Sequence, residues 1–165
     1  MRLRAAKSTP GTPQLARSAA AKTRLAIIRA EYNSEITASL EKKCMEALIA
    51  GGVPARNIHV FTVPGCFEIP ILAEKLAARK RYDALIALGA VIRGETYHFE
   101  LVADGCARGI MEVSLRHNMP VIFEVLATYN RRDALRRAGN NQQNKGIEAA
   151  HSALALLRTL SKIKD

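Results

Sequence analysis

The chain has 165 residues, a net charge of +10, and 48% hydrophobic and 24% charged residues. That length suits a single domain with one core, the composition is globular, and no apolar run approaches the roughly 20 residues that span a bilayer. Cys44, Cys66 and Cys106 are odd in number and lack CxxC spacing, so neither a disulfide framework nor a zinc site is indicated, and a reduced, cytoplasmic compartment is expected.

Residues 1–22 hold Arg2, Arg4, Lys7, Arg17 and Lys22 and no acid, and are read as a basic N-terminal arm ahead of a single domain over 23–165. The arm has the acid-poor composition of a transit peptide but not the apolar centre of a secretory signal, and it is read as a segment held by a neighbouring subunit. The remaining basic residues form no stripe, and aromatic content of 5% offers no platform for stacking bases, so nucleic acid is not expected as a partner.

In chain order, RLAIIRA (24–30) is a short buried strand. A helix follows, capped by Asn33 or Ser34, with Ile36, Leu40, Cys44 and Leu48 on one face and Gly51-Gly52 ending it. NIHVFTV (57–63) alternates as a second strand and is cut off by Pro64-Gly65; a helix with Pro70 near its start runs through 68–80. DALIALGAVI (83–92), apolar on both faces, is a third, covered strand. The polar RGETYHFE (93–100) separates it from a helix over 101–118. PVIFEVLA (120–127) is a fourth strand; a short basic helix (131–139), a loop NNQQ and an amphipathic helix (144–160) complete the chain. Repeated strand–helix alternation with short connections predicts a three-layer α/β/α sandwich around a four-stranded parallel sheet.

The unusual polar and glycine-rich stretches all follow strands: AEYN, PGCFE, RGETYH and TYNRR. In a parallel sheet these loops share the carboxyl rim, where open α/β sheets bind ligands. There is no GxGxxG, no GxxxxGK[ST] and no GxSxG, so dinucleotide, nucleoside triphosphate and serine-nucleophile chemistry are not indicated. His98 reads either as a proton-transfer group or as a helix-start residue; only histidine titrates unperturbed near neutrality. His59 and His151 read as structural, and His117 as a helix C-terminal cap. Gly94-Glu95-Thr96, beside Arg93, offers backbone N–H groups to an anion, and the arginines of 131–137 suit a phosphate ester or form a solvated face. Glu68 suits a polyol or the helix dipole, and Cys66, with no basic neighbour, packs rather than attacks. Tyr32 and Phe123 supply either apolar walls or core.

VPGCFEIP (63–70), GAVIRGETYHFE (89–100), ARGI (107–110), PVIFEVL (120–126) and, across 137–150, RAG, NKG and EAA resemble the collinear motifs of the lumazine synthase family. The resemblance runs from about residue 24 to 160. It implies a flavodoxin-like fold whose N-terminal strand joins a neighbour's sheet, and a homopentamer that in some members packs into a decamer or a 60-subunit shell. Riboflavin synthase is a further partner that it allows. The implied reaction condenses 5-amino-6-(D-ribitylamino)uracil with 3,4-dihydroxy-2-butanone 4-phosphate to 6,7-dimethyl-8-ribityllumazine, phosphate and water, with no cofactor and no metal.

Residue by residue, the resemblance implies that His98 transfers protons and that Arg137, Glu95 and Thr96 form the phosphate site. It implies that Tyr32 stacks on the pyrimidine, that Glu68 contacts the ribityl chain flanked by Cys66 and Phe67, and that Ala90, Val91 and Ile92 make backbone contacts to the ring. Phe123 and Lys145 are implied to reach the site from the adjacent subunit. Three positions depart from the family pattern: Glu124 stands where glycine is usual, Cys66 where Ala or Ser is usual, and Tyr32 where Phe or Trp is usual. The alternative is a non-catalytic assembly scaffold or a lumazine- or flavin-binding relative of the same fold, motivated by Glu124 and the basic arm.

Overall fold

Apolar runs without alternation become the two central strands of the computed structural model, which describes residues 15–163. Strand β1 (Leu25–Ala30) and strand β3 (Ala84–Ile92) are buried along nearly their whole length. Strands β2 (Ile58–Val63) and β4 (Val121–Thr128) are partly exposed, and their sequences are correspondingly less uniform. The sheet order is β2-β1-β3-β4 and every pairing is parallel. This is the flavodoxin-like arrangement expected, with its switch point between β1 and β3.

Helix α1 is Arg17–Ala20, α2 Ser34–Ala50, α3 Ile69–Ala78, α4 His98–His117, α5 Arg131–Arg137 and α6 Lys145–Leu160. One face of the sheet packs Leu25, Ile27 and Ile86 against Leu40 and Leu48 of α2 and Leu154 of α6. The other face packs Ile28, Leu85 and Val125 against Ile69 and Leu76 of α3 and Ile110 of α4. Each fully buried Leu or Ile contributes about 2 kcal/mol relative to exposure. Close approach of α6 to α2 requires Gly146, because a Cβ there would lie 2.0 Å from the Leu40 carbonyl oxygen.

Several boundaries differ from the sequence reading. Helix α4 begins at His98, three residues before the expected start, because the chain turns into helix directly after the exposed Gly94–Tyr97 turn. A 3-10 turn, Cys66–Glu68, precedes α3. Neither expected cap of α2 acts by its side chain: Asn33 holds the cap position in the left-handed region but makes no capping bond.

Residues 1–14 of the arm lie outside the described residues, and with them the strand expected to join a neighbour. The segment just after them packs against the rest of the same chain. Leu15 packs against the core, Ala20 is buried, and Asn57 Nδ2 donates to the carbonyls of Ala21 and Thr23, at 3.1 Å each. His117, expected as a cap, lies in the last turn of α4 and is held there by Glu74 of α3, with Nε2 2.9 Å from Oε1. The paired His117 and Arg116 hold the Glu74 carboxyl below the usual range.

Candidate active site

Three of the four loops on the carboxyl rim close around a cleft of about 740 Å³, within the roughly 300–1,000 Å³ usual for small-molecule sites. The loop after β1 brings Tyr32, a residue 73% exposed that lines the cleft. It is anchored by Glu31 N to Val63 O (2.8 Å) and Tyr32 N to Pro64 O (3.0 Å).

The turn after β2 brings Pro64, Gly65, Cys66, Phe67 and Glu68 to the cleft. Phe67 can lie against α4 because residue 105 is glycine: a Cβ there would be 2.7 Å from the ring. Cys66 is buried, and its sulfur fills the space that Gly89 leaves on β3. Burial pushes its thiol up to about 11, so at neutral pH it is a packed thiol rather than a nucleophile.

The end of β3 supplies Ala90, Val91 and Ile92, and the chain beyond it Gly94, Thr96 and His98. Odd-numbered residues of β3 bond to the β4 side, as Leu85 N to Pro120 O and Arg93 N to Thr128 O show at the two ends. The main-chain groups of Ala90 and Ile92 therefore point the other way, past the end of β1. His98 is exposed in the first turn of α4, with its side toward the cleft shared by Leu101 and Val102. That 98/101/102 spacing is one helical face. Phe99, Leu101 and Val102 were missed by the sequence reading, because a helix started at 101 breaks this face; extending the helix back to His98 would have found them.

A smaller hollow of about 130 Å³ adjoins the cleft through Gly94 and Thr96 and is lined also by Arg93, Glu95, Tyr97 and Glu100. Arg93 is tied down on its outer side, with its guanidinium 5.5 Å from the Tyr129 ring centroid and Nε 3.9 Å from Glu100 Oε1. Among the described residues no three His, Cys, Asp or Glu side chains gather as metal ligands.

Four of the expected site residues do not line this cleft: Glu95 lines the adjoining hollow, and Phe123, Lys145 and Arg137 lie elsewhere. Phe123 is 42% exposed on the edge strand β4. Lys145 pairs with Glu148 one turn along α6. Arg137 donates from Nη1 to the Asp133 carbonyl, 3.1 Å away, within α5. The other arginines of α5 include Arg131, paired with Glu35, and Arg136, paired with Asp133 at 3.0 Å. Among the described residues the fourth loop, TYNRR, thus contributes nothing to the cleft lining, and its Tyr129 ring lies 6.4 Å from that of Phe99, which does line it.

Next to Phe123, on the opposite face of β4, is Glu124. Its carboxyl is pushed up to about 7, first by burial and then by the Glu148 carboxylate, with Lys145 acting in the opposite direction. The same acid and Glu41 add to the burial that raises the Cys44 thiol on α2.

A cleft at the switch point of a β2-β1-β3-β4 sheet, with an aromatic ring, a carboxylate and a histidine on three separate loops, calls for comparison with known families. A sequence model of the 6,7-dimethyl-8-ribityllumazine synthase family matches residues 22–161 of the 165, and the chain belongs to that family.

Proposed function

We propose that this member of the lumazine synthase family condenses 5-amino-6-(D-ribitylamino)uracil with 3,4-dihydroxy-2-butanone 4-phosphate, a transferase step of riboflavin biosynthesis in the cytoplasm. The observation that supports this most is the convergence of Tyr32, Glu68 and His98 on one cleft large enough for two small reactants. Tyr32 stacks on the pyrimidine, Glu68 accepts hydrogen bonds from the ribityl hydroxyls, and Phe67 walls the space between them. The phosphate occupies the turn at Glu95 and Thr96, where main-chain N–H groups before α4 meet an anion favourably.

The 5-amino group of the pyrimidine attacks the ketone carbonyl, forming an imine as one water leaves. Removal of a carbon-bound proton then expels inorganic phosphate. The enol left by this elimination takes up a proton on its terminal carbon, giving a methyl ketone, on which the ribityl-bearing nitrogen closes as a second water departs. His98 accepts and returns the protons of these steps, and no electron acceptor is needed because the reaction is redox-neutral overall. Holding two reactants face to face accounts for much of the barrier reduction, with one proton shuttle supplying the rest.

Phe123, Arg137 and Lys145 serve a cleft other than their own, arriving from the adjacent subunit of a homopentamer. Arg137 there adds bidentate contact to the phosphate. The reading is tested by incubating the full-length protein with both substrates, following lumazine absorbance and fluorescence, and measuring native mass. Product formed by a pentamer, or by a multiple of one, is the expected result. Ligand binding without product would favour the non-catalytic relative.

A further inference from the structure

The bonds that hold the end of β1 are asymmetric. Toward β2, main-chain bonds from Glu31 and Tyr32 continue past the strand. Toward β3, register pairing stops at Arg29 opposite Leu88, although β3 itself runs on to Ile92. Across that gap reaches a side chain: Asn33 Nδ2 donates to the Ala90 carbonyl oxygen at 2.9 Å.

Asn33 is unusual in two respects. It stands at φ 58°, ψ 43°, in the left-handed region that asparagine tolerates better than most residues. It also holds the N-cap position of α2, where an asparagine side chain ordinarily accepts from the first-turn N–H groups, and it makes no such bond. Its backbone still starts the helix, its carbonyl accepting from Ile36 N and Thr37 N at 2.9 and 3.1 Å. Asn33 does not line the cleft, whereas Tyr32 beside it and Ala90 across from it both do.

We infer that Asn33 is a positioning residue for the pyrimidine end of the cleft, acting through Tyr32 and Ala90. Its bond to β3 fixes the backbone from which the Tyr32 ring projects. It also occupies the Ala90 carbonyl, so that of the two β3 residues whose main-chain groups point past β1, Ile92 alone keeps its acceptor open to the ring. This inference rests on the reading of the cleft as a pyrimidine site.

Two variants separate the roles of shape and donor. Asn33→Gly keeps the positive φ without strain and deletes the amide, while Asn33→Asp keeps the outline and cannot donate when ionised. For both, in the full-length protein, the KM of the pyrimidine substrate and the Kd of its unreactive 5-nitro analogue are expected to rise at least about threefold, in line with one lost hydrogen bond. The KM of the butanone phosphate is expected to stay within about twofold of the parent. A smaller rise in the pyrimidine constants, or an equal rise in both substrates' KM, would overturn the inference. If the parent binds the analogue but makes no lumazine, the Kd comparison still decides the role of Asn33 while the proposed reaction fails.

Discussion

The cleft between β1 and β3 and the edge formed by β4, α5 and α6 were expected to supply one site, and they differ in how complete they are. The first region takes most of its shape within a single chain. Its loops are cross-bonded, its cysteine is packed against Gly89, and nine of the thirteen expected site residues line its cleft, so it can be recognised without a partner. The second region carries Phe123 exposed on the edge strand β4, and Arg137 and Lys145 bonded, among the described residues, within their own helices. Residues with implied roles that meet nothing of the cleft in their own subunit are what a site shared across a symmetric interface requires.

Substitutions in the two regions should therefore fail in different ways. The largest expected effect is in the first: His98→Ala should lower kcat by roughly 10²–10⁴-fold, the range for losing a general acid–base group, while native mass stays unchanged. Unchanged turnover would make His98 a helix-start residue and leave the cleft without its proton shuttle.

In the second region, Arg137→Ala should raise the KM of the phosphate substrate by about 10–100-fold, as for a lost charge-assisted contact, with the pyrimidine KM little changed. An equal effect on both substrates would point to damage in α5 rather than to phosphate binding.

Glu124→Gln sharpens the contrast by touching stability alone. The folded protein holds a proton on Glu124 up to about pH 7, well above its ordinary 4.5. The folded state thus binds more protons than the unfolded state between those values, and stability declines as pH rises through that window. Removing the charge should raise stability by about 3 kcal/mol at pH 8 and hardly at all at pH 4. Urea unfolding at the two pH values reads the difference, and a gain of the same size at both would show that burial of this carboxylate is not its cause.

The smallest effect is expected at Cys66→Ala, in the first region. A thiol raised to about 11 attacks nothing at neutral pH, so kcat should remain within about threefold of the parent. A loss of hundreds-fold would put sulfur into the chemistry.

Much of this was legible in the chain because its signals are local. Uninterrupted apolar runs marked β1 and β3 as covered on both faces, and polar stretches after each strand marked the rim. The start of α4 was not legible, since Gly94, Thr96, Tyr97 and His98 favour helix weakly, and the exposed turn merges into the helix without a capping side chain. Asn33 was misread for the opposite reason: its residue type matches a local cap so well that a bond to a residue 57 positions away leaves no sequence signal. The separation of Arg137 from the cleft was hidden because a motif read along one chain does not distinguish residues of one subunit from those of the next; for Phe123 and Lys145 the family resemblance, rather than their spacing, implied an adjacent subunit.

That distinction is open to a direct measurement. Two impaired variants, His98→Ala and Arg137→Ala, are co-expressed so that their subunits mix, and lumazine formation at a phosphate-substrate concentration well below the KM of Arg137→Ala is compared with each variant alone. If the cleft of one subunit uses the arginine of its neighbour, random mixing restores a complete site at about a quarter of the interfaces, and activity reappears in that proportion. If both residues act within one chain, the mixed assemblies contain no complete site, and activity no greater than that of the separate variants would contradict a shared site.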